Sequence, residues 1–447
     1  MRWIKKLLPV GLLRAIRPIY HGMLALFGSF CYGRPSRKLI VIGVTGTNGK
    51  STTVNLIAKI LEEAGYKTGY TSTVTMNFGE RESLNKMKMT MPSGWLLQKW
   101  MRRMVNAGCK YAVLEVSSEG LAQNRHLGIA FDIAVFTNLT PEHLESHGGF
   151  ENYKLAKAKL FASLKLEARS QKPEARKTII VNADDEYGKY FAGFKADRCV
   201  SYGIKNPQAD LIATDIQYSA NGISYQLPAS PAGGQATSYK LNLKGQFDVY
   251  NSLAAIAVAQ SQGVSLEICK KALEKVPVVP GRVEVLQATP FTVVVDYAYE
   301  PEEMRQLYET VNRWPHKRVL QVLGPTGGGR DKARIKVLGE MAGRFADMVI
   351  ITTDDPYDDD PKILGGQMAE GVRAAGKTEK QNLFCEYDRR AAIRMALRAA
   401  REGDLVLVTG KGADQKMALA AGVYLDWDDR KVVKEELTNL QIDRLTN

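Results

Sequence analysis

The stretch Val41–Thr53 reads V-I-G-V-T-G-T-N-G-K-S-T-T and decides the fold. It overlaps the apolar run Leu39–Val44, breaks into glycines, and restarts at Lys50-Ser51 as a helical pattern that runs to Glu63 and stops at Ala64-Gly65. A buried strand that turns through glycines into a helix N-terminus is a phosphate cradle. Backbone N–H groups close around anionic oxygens, and the helix dipole favours negative charge. Gly46, Thr47, Asn48, Gly49 and Thr52 then line a nucleotide site, Lys50 reaches its terminal phosphates, and the Ser51 hydroxyl holds Mg²⁺. Val44 stands where the general phosphate-loop pattern has glycine, but the strand before and the helix after satisfy its context test.

Working outward, apolar runs at Leu39–Val44, Tyr111–Val116, Ile133–Phe136 and Thr178–Val181 alternate with helical patterns. That alternation predicts a mostly parallel sheet with helices on both faces, and ligands at the loops that follow strand C-termini. Short alternating segments between Asp210 and Leu243 predict a small antiparallel insert. The run V-P-V-V-P-G-R-V-E (Val276–Glu284) has the Pro/Gly density of a linker. Beyond it, Val319–Leu323, Met348–Ile351 and Leu405–Val408 predict a second, Rossmann-like α/β sheet. The expected fold class is therefore α/β. Its parts are an N-terminal extension (1–37), a nucleotide-binding central domain (38–276) and a C-terminal α/β domain (277–447).

The 447 residues suffice for several cores, and Lys plus Arg exceed Asp plus Glu by 61 − 48 = 13. The excess suits anionic partners without choosing among them. Five scattered cysteines with no C-x-x-C pair argue against a zinc ribbon or disulfide framework, and fit a reducing compartment such as the cytoplasm. No apolar run is long enough to span a membrane, and no nucleic-acid recognition module is present. Residues 1–37 mix Lys5, Lys6, Arg14, Arg17, Arg34 and Arg37 with Leu7, Leu8, Leu12, Leu13, Ile16, Met23, Leu24, Leu26 and Phe27. Two readings stay open: a helical extension packed on the body, or a basic amphipathic segment on an anionic membrane. Arg14, Arg17, Pro18 and His21 interrupt the apolar stretch and disfavour a signal peptide.

Three loops after predicted strands carry unusual residues. Glu115 ends an apolar strand, where a bare carboxylate needs hydrogen bonds, a salt bridge or a cation such as Mg²⁺. His143 and His147 sit four apart, the spacing of either a helix face or a metal site. Lys154, Lys157 and Lys159 read locally as a solvated helix face.

These blocks together resemble the Mur ligase family, whose members phosphorylate a carboxylate with ATP and then join an amino acid to it. T-G-T-N-G-K-S-T (Thr45–Thr52) resembles the family's ATP loop. E-V-S-S-E-G-L-A-Q-N-R (Glu115–Arg125) resembles the block of the members that add the third peptide residue. That likeness makes Glu115 a metal ligand and Ser117, Gln123 and Arg125 contacts to the acidic muropeptide, with Glu119 where those members commonly have His. The T-N-L-T-P-E-H-L-E-S-H block (Thr137–His147) implies Asn138 near the nucleotide and His143 on a second Mg²⁺. A-K-A-K-L-F (Ala156–Phe161) implies a carbamate on Lys157 that would serve as a further oxygen ligand. K-M-T-M-P-S (Lys88–Ser93) supplies Thr90 and Pro92, with Met91 in place of a second Thr. G-Q-F-D-V-Y-N places Asn251 near adenine and puts Asp248 where the family has Asn. Arg282 and Asp296 match G-R-x-E and D-Y-A-H-x-P, with Tyr299 replacing His.

For the acceptor amino acid, G-P-T-G-G-G-R-D-K (Gly324–Lys332) implies Arg330 and Lys332. T-T-D-D-P-Y-D-D-D-P (Thr352–Pro361) implies Asp354, Asp355 and Tyr357, and T-G-K-G-A-D-Q (Thr409–Gln415) implies Gly410 and Asp414. Tyr357 replaces the Arg that clamps a distal carboxylate in enzymes adding meso-diaminopimelate, which removes a bidentate partner. Asp355 and the acidic run to Asp360 favour an ammonium group, so L-lysine leads over meso-diaminopimelate as acceptor. The bland reading of Asp358–Asp360 is a helix start. The resemblance implies catalysis through Lys50, Lys157, His143 and Arg282, with ATP and two Mg²⁺, in a monomer. Only residues 1–37 precede the phosphate-loop strand, where third-residue ligases carry a uridine-binding domain. The expectation is weaker hold on uridine, a donor without UDP, or a partner that supplies that surface. Rival readings are a folylpolyglutamate- or cyanophycin-type ligase and a non-catalytic, partner-dependent scaffold.

Overall fold

A computed structural model describes residues 10–85, 87, 89–142, 147–164, 176–219, 222–228, 236–277, 279–329 and 332–446, with side chains from residue 16 to residue 442. His143 and Arg330 lie outside the described residues.

The strand before the phosphate loop, Ile40–Thr45, is buried at every position and sits in the middle of a nine-stranded sheet. Its neighbours are Tyr111–Glu115 on one side and Ile133–Phe136 on the other, both parallel, in a register that sets Val44 beside Glu115 and Thr45 beside Phe136. Thr178–Asn182 and Arg198–Gly203 continue the parallel order. Antiparallel pairs form only the far edge, at Thr75–Asn77 and Ser83–Leu84. Strands covered on both faces read as continuous β-branched runs, which is why periodicity located them so closely. Because the consecutive strands Tyr111–Glu115 and Ile133–Phe136 lie on opposite sides of it, a crevice opens at its C-terminal end, where ligands bind in such sheets.

Helices Lys50–Glu63, Gln246–Ser261 and Leu266–Lys275 cover one face, and Gly94–Asn106 with Phe150–Ala162 cover the other. Gly43 is needed here: a Cβ on it would lie 2.8 Å from both Leu160 and Phe131. That close approach lowers the helix Phe150–Ala162 onto the strand and carries Lys157 under the phosphate loop. The insert is a three-stranded antiparallel sheet, Thr214–Ser219, Gly222–Leu227 and Thr237–Leu241.

The second sheet has six strands in the order Glu284–Gln287, Thr292–Asp296, Leu405–Thr409, Val319–Leu323, Met348–Ile351, Leu383–Cys385. All but the first pair are parallel. Helices flank it on both faces, Pro301–Val311, Ala333–Phe345 and Pro361–Ala374 on one and Arg389–Ala399 with Asp429–Thr446 on the other. Residues 10–31 form one helix, Val10–Cys31, laid against Gly94–Asn106. No described helix is long and apolar enough to cross a membrane.

Candidate active site

The phosphate loop is fixed from below by its own neighbours. Gly49 is left-handed (φ 80°) and opens the helix at Lys50, and a side chain at Gly49 would strike Asn251 Oδ1 at 2.2 Å. Asn48 N donates to Asn138 Oδ1 (2.8 Å), and Thr137 Oγ1 donates to Asn48 O (2.7 Å). Thr53 Oγ1 donates to Asn251 Oδ1 (3.2 Å). Asn138 and Asn251 thus brace the loop and also line an adjoining pocket with Asn48, Gly49, Gln246 and Tyr250. Lys50 folds back to donate to Thr47 O at 2.5 Å.

Glu115 reaches the loop through the sheet register. Its Oε2 accepts from Ser51 Oγ (2.7 Å) and from Thr73 N (2.6 Å), and its Oε1 accepts from Thr73 Oγ1 (3.0 Å). Thr73 Oγ1 also meets Thr90 Oγ1 at 2.9 Å. A hydroxyl beside a hydrogen-bonded carboxylate is a hard oxygen donor set, which fits Mg²⁺ held between protein and nucleotide phosphates. Among the described residues no three His, Cys, Asp or Glu side chains form a ready-made metal cage.

Lys157 is buried and donates to Gly46 O at 2.6 Å, with its ammonium 4.3 Å from the Tyr153 ring centroid. Burial first, then the charge of Lys50, pulls its pKa well below that of a free lysine. Glu142, on the same side of the cleft, is pushed up to about 8 by burial and by repulsion from Glu303.

The second sheet closes the cleft. Arg282, Asp296 and Glu303 line the same 560 Å³ space as residues 47–52 and Glu115. Asp296 accepts from Val283 N (2.7 Å) and Ala298 N (2.6 Å), which locks the linker that carries Arg282. Burial raises Asp296 to about 6, against the opposing pull of Arg282. Arg282 stays charged: burial opposes the charge, but Glu303 and Asp296 outweigh it.

The residues expected to touch an acidic peptide also gather. Arg125 donates to Met91 O beside Thr90, and to Gln123 Oε1 (2.7 Å through Nη2). Gln123 in turn donates to Glu119 (2.8 Å), and Ser117 caps the short helix Ser118–Ala122 by accepting from Gly120 N.

The expected acceptor pocket needs a correction. Asp354, Asp355 and Asp414 do converge, but on the protein's own Lys411, at 3.8, 3.0 and 2.9 Å. Asp355 also accepts from Ala418 N (2.8 Å). Asp355 is therefore not kept free for a substrate ammonium, since a buried carboxylate takes the nearest cation the fold supplies. The acidic run is likewise used internally. Asp358 accepts from Ala421 N, Asp359 from Gly328 N and Lys332, and Asp360 caps the helix Pro361–Ala374. Tyr357 (φ 53°) packs its ring against Gly328, and a Cβ on Gly410 would meet Asp354 at 2.5 Å.

Sequence reasoning missed Thr73, Tyr153, Glu142, Glu303 and Lys411. Of these, Lys411 lies inside T-G-K-G-A-D-Q, Glu142 stands beside His143, and Tyr153 opens the stretch Y-K-L-A-K-A-K-L-F (Tyr153–Phe161).

A phosphate loop at a sheet crevice, a carboxylate–hydroxyl pair beside it and a second α/β sheet over it define a nucleotide-dependent transferase or ligase. The Mur ligase middle domain matches residues 44–259, and the Mur ligase glutamate ligase domain matches residues 281–412. The UDP-N-acetylmuramyl-tripeptide synthetase of Roseiflexus sp. (strain RS-1) is 39% identical over 97% of this chain and 84% of its own length. The UDP-N-acetylmuramoyl-L-alanyl-D-glutamate–2,6-diaminopimelate ligase of Geobacillus kaustophilus (strain HTA426) is 38% identical over 92% of this chain and 81% of its own. A solved structure of a ligase with that same activity in its name superposes with a TM-score of 0.60 at 29% identity, covering 90% of this chain and 79% of that one. The chain belongs to the Mur ligase family and is an ATP-dependent acid–amino-acid ligase of peptidoglycan precursor synthesis.

Proposed function

We propose that the protein adds a diamino acid, L-lysine or meso-diaminopimelate, to the D-glutamate end of a muramyl dipeptide, in the cytoplasm and as a monomer. The observation that carries this is the meeting, in one cleft, of the phosphate loop, Glu115 and Arg282, with Lys157 buried directly beneath the loop on Gly46 O.

Lys50 and Arg282 lie on opposite walls of that cleft and offset the charge of the phosphoryl group as it passes to the carboxylate. Ser51 and Glu115 would hold Mg²⁺, which would supply further charge neutralisation. Thr90, Ser117, Gln123 and Arg125 hold the acidic peptide so that its free carboxylate faces the loop. The carboxylate oxygen attacks the outer phosphorus and the bond to ADP breaks. The acceptor amine then attacks the acyl carbon and inorganic phosphate leaves. Residues 38–276 carry the first step, and 277–447 bring the acceptor and exclude water on closure.

The depressed Lys157 supports a carbamate there, because the neutral amine is the form that adds CO₂. With a carbamate, the donor set gains two oxygens and accommodates a second Mg²⁺. Tyr357 in place of an Arg clamp supports lysine. The names of the relatives support diaminopimelate.

The test is an ATP-dependent screen of amino acids on UDP-linked and on truncated muramyl dipeptide, read by mass spectrometry. A mass gain of one diamino acid with matching ADP release is expected. No product with any diamino acid would overturn the reading. Folate extended by glutamate would replace it with the polyglutamylating one.

A further inference from the structure

The helix Val10–Cys31 is built inside out. Toward the body it presents Gly22, Ala25, Gly28 and Ser29, all buried. Gly28 is pressed so close that a Cβ would lie 3.0 Å from the Trp95 backbone, and one on Gly94 would lie 2.2 Å from Ala25. Outward it presents Ile16, Ile19, Tyr20, Met23, Leu26, Phe27 and Phe30, every one exposed, Met23 at 67% and Phe30 at 72%. Those positions recur at three- and four-residue steps, so they form one unbroken stripe about 21 Å long. Trp95 extends it at one end, with its ring stacked on Phe27 at 5.8 Å. Single exposed apolar residues are ordinary, but a contiguous stripe marks a surface that something covers.

The charge around the stripe says what covers it. The sequence up to Lys38 holds eight Lys and Arg, and the first acidic residue of the chain is Glu62. Arg17 beside the stripe, and Arg34, Arg37 and Lys38 just past its end, are exposed. A second copy of this chain would bring like charges together, whereas an anionic bilayer supplies the opposite charge and an apolar layer beneath it. The described part of the helix is not apolar enough to cross the bilayer.

We propose that this face is a membrane-docking surface that lies in the plane of an anionic lipid bilayer. The apolar stripe and Trp95 enter the headgroup–acyl boundary, and the basic residues pair with lipid phosphates. It binds lipid headgroups, not the nucleotide, and is independent of the ligase reading.

The test uses the full chain with sedimenting vesicles of phosphatidylglycerol–phosphatidylcholine and of phosphatidylcholine alone. Binding to the anionic vesicles is expected to be at least tenfold tighter, and to weaken when salt is raised from 0.1 to 0.5 M. Met23→Gln/Phe27→Gln/Phe30→Gln should lose vesicle binding at least tenfold while ADP still raises its melting temperature as in the parent. Arg34→Gln/Arg37→Gln/Lys38→Gln should lose the preference for anionic lipid. A chain that stays in the supernatant with both vesicles, or a triple Gln variant that still sediments, overturns the proposal. So does a dimer in light scattering that the triple Gln variant dissociates while vesicle binding is absent, which would assign the stripe to a second copy.

Discussion

Two lysines divide the molecule. Lys157 under the phosphate loop and Lys411 at the end of the second sheet are each about 1% exposed. Lys157 meets a backbone carbonyl and the face of Tyr153, and its pKa falls, with burial leading and Lys50 adding repulsion. Lys411 meets three aspartates, and its pKa rises because Asp354, Asp355 and Asp414 outweigh burial. Equal burial with opposite shifts shows that the counter-ion, not depth, sets the direction in which a buried amine's pKa moves. Beside the first sheet the buried amine is met by a carbonyl and a ring, and beside the second by three carboxylates.

Four substitutions test this contrast, taken in falling order of effect. Lys411→Met leaves three crowded carboxylates without their cation and should destabilise the protein by about 3–5 kcal/mol, read as denaturant midpoint. An unchanged midpoint would mean that the aspartates find another partner. Lys157→Met should leave that midpoint within about 1 kcal/mol, since it removes a charge that burial already disfavours, yet cut ligase turnover by about a hundredfold. Near-parent turnover would remove the case for a carbamate at this position. Thr73→Val, which deletes the hydroxyl donor to Glu115, should lower turnover about tenfold and raise the Mg²⁺ needed for half-maximal rate. An unaltered Mg²⁺ requirement would make Thr73 merely a packing residue.

The smallest effect concerns pH. Asp248, buried and bonded to Gly245 N, is raised to about 7, with desolvation as the leading cause. A carboxyl raised on folding binds more protons folded than unfolded, so its effect on stability worsens as pH climbs from about 4 to 7. Asp248→Asn should therefore raise the melting temperature at pH 8 by about 2–4 °C and leave it unchanged at pH 4. Equal shifts at both pH values would show that Asp248 is not protonated in the fold.

Much of the fold was legible because its strands are covered on both faces. The runs Ile133–Phe136, Val319–Leu323 and Met348–Ile351 occur as read. The site was legible where one short loop carries the chemistry, as at Lys50 and Ser51, or where a motif ends a strand, as at Glu115. Thr73 and Glu303 were not: Thr73 reaches the site from a loop, and Glu303 stands in the first turn of the helix Pro301–Val311, where a carboxylate is ordinary. The acidic stretch Asp354–Asp360 was misread for a related reason: a list of carboxylates does not show which backbone amides and cations the fold sets beside them.

What the sequence determined unaided is the phosphate loop, the two parallel sheets and the basic charge of residues 1–38, since these follow from local order, periodicity and composition. Which groups pair is set by the packing. Lys411 takes the aspartates, Lys157 is left with a carbonyl, and Gly22, Ala25 and Gly28 turn inward so that Met23, Phe27 and Phe30 face out. Those outcomes rest on close approaches between segments far apart in the chain, and no local pattern encodes such distances.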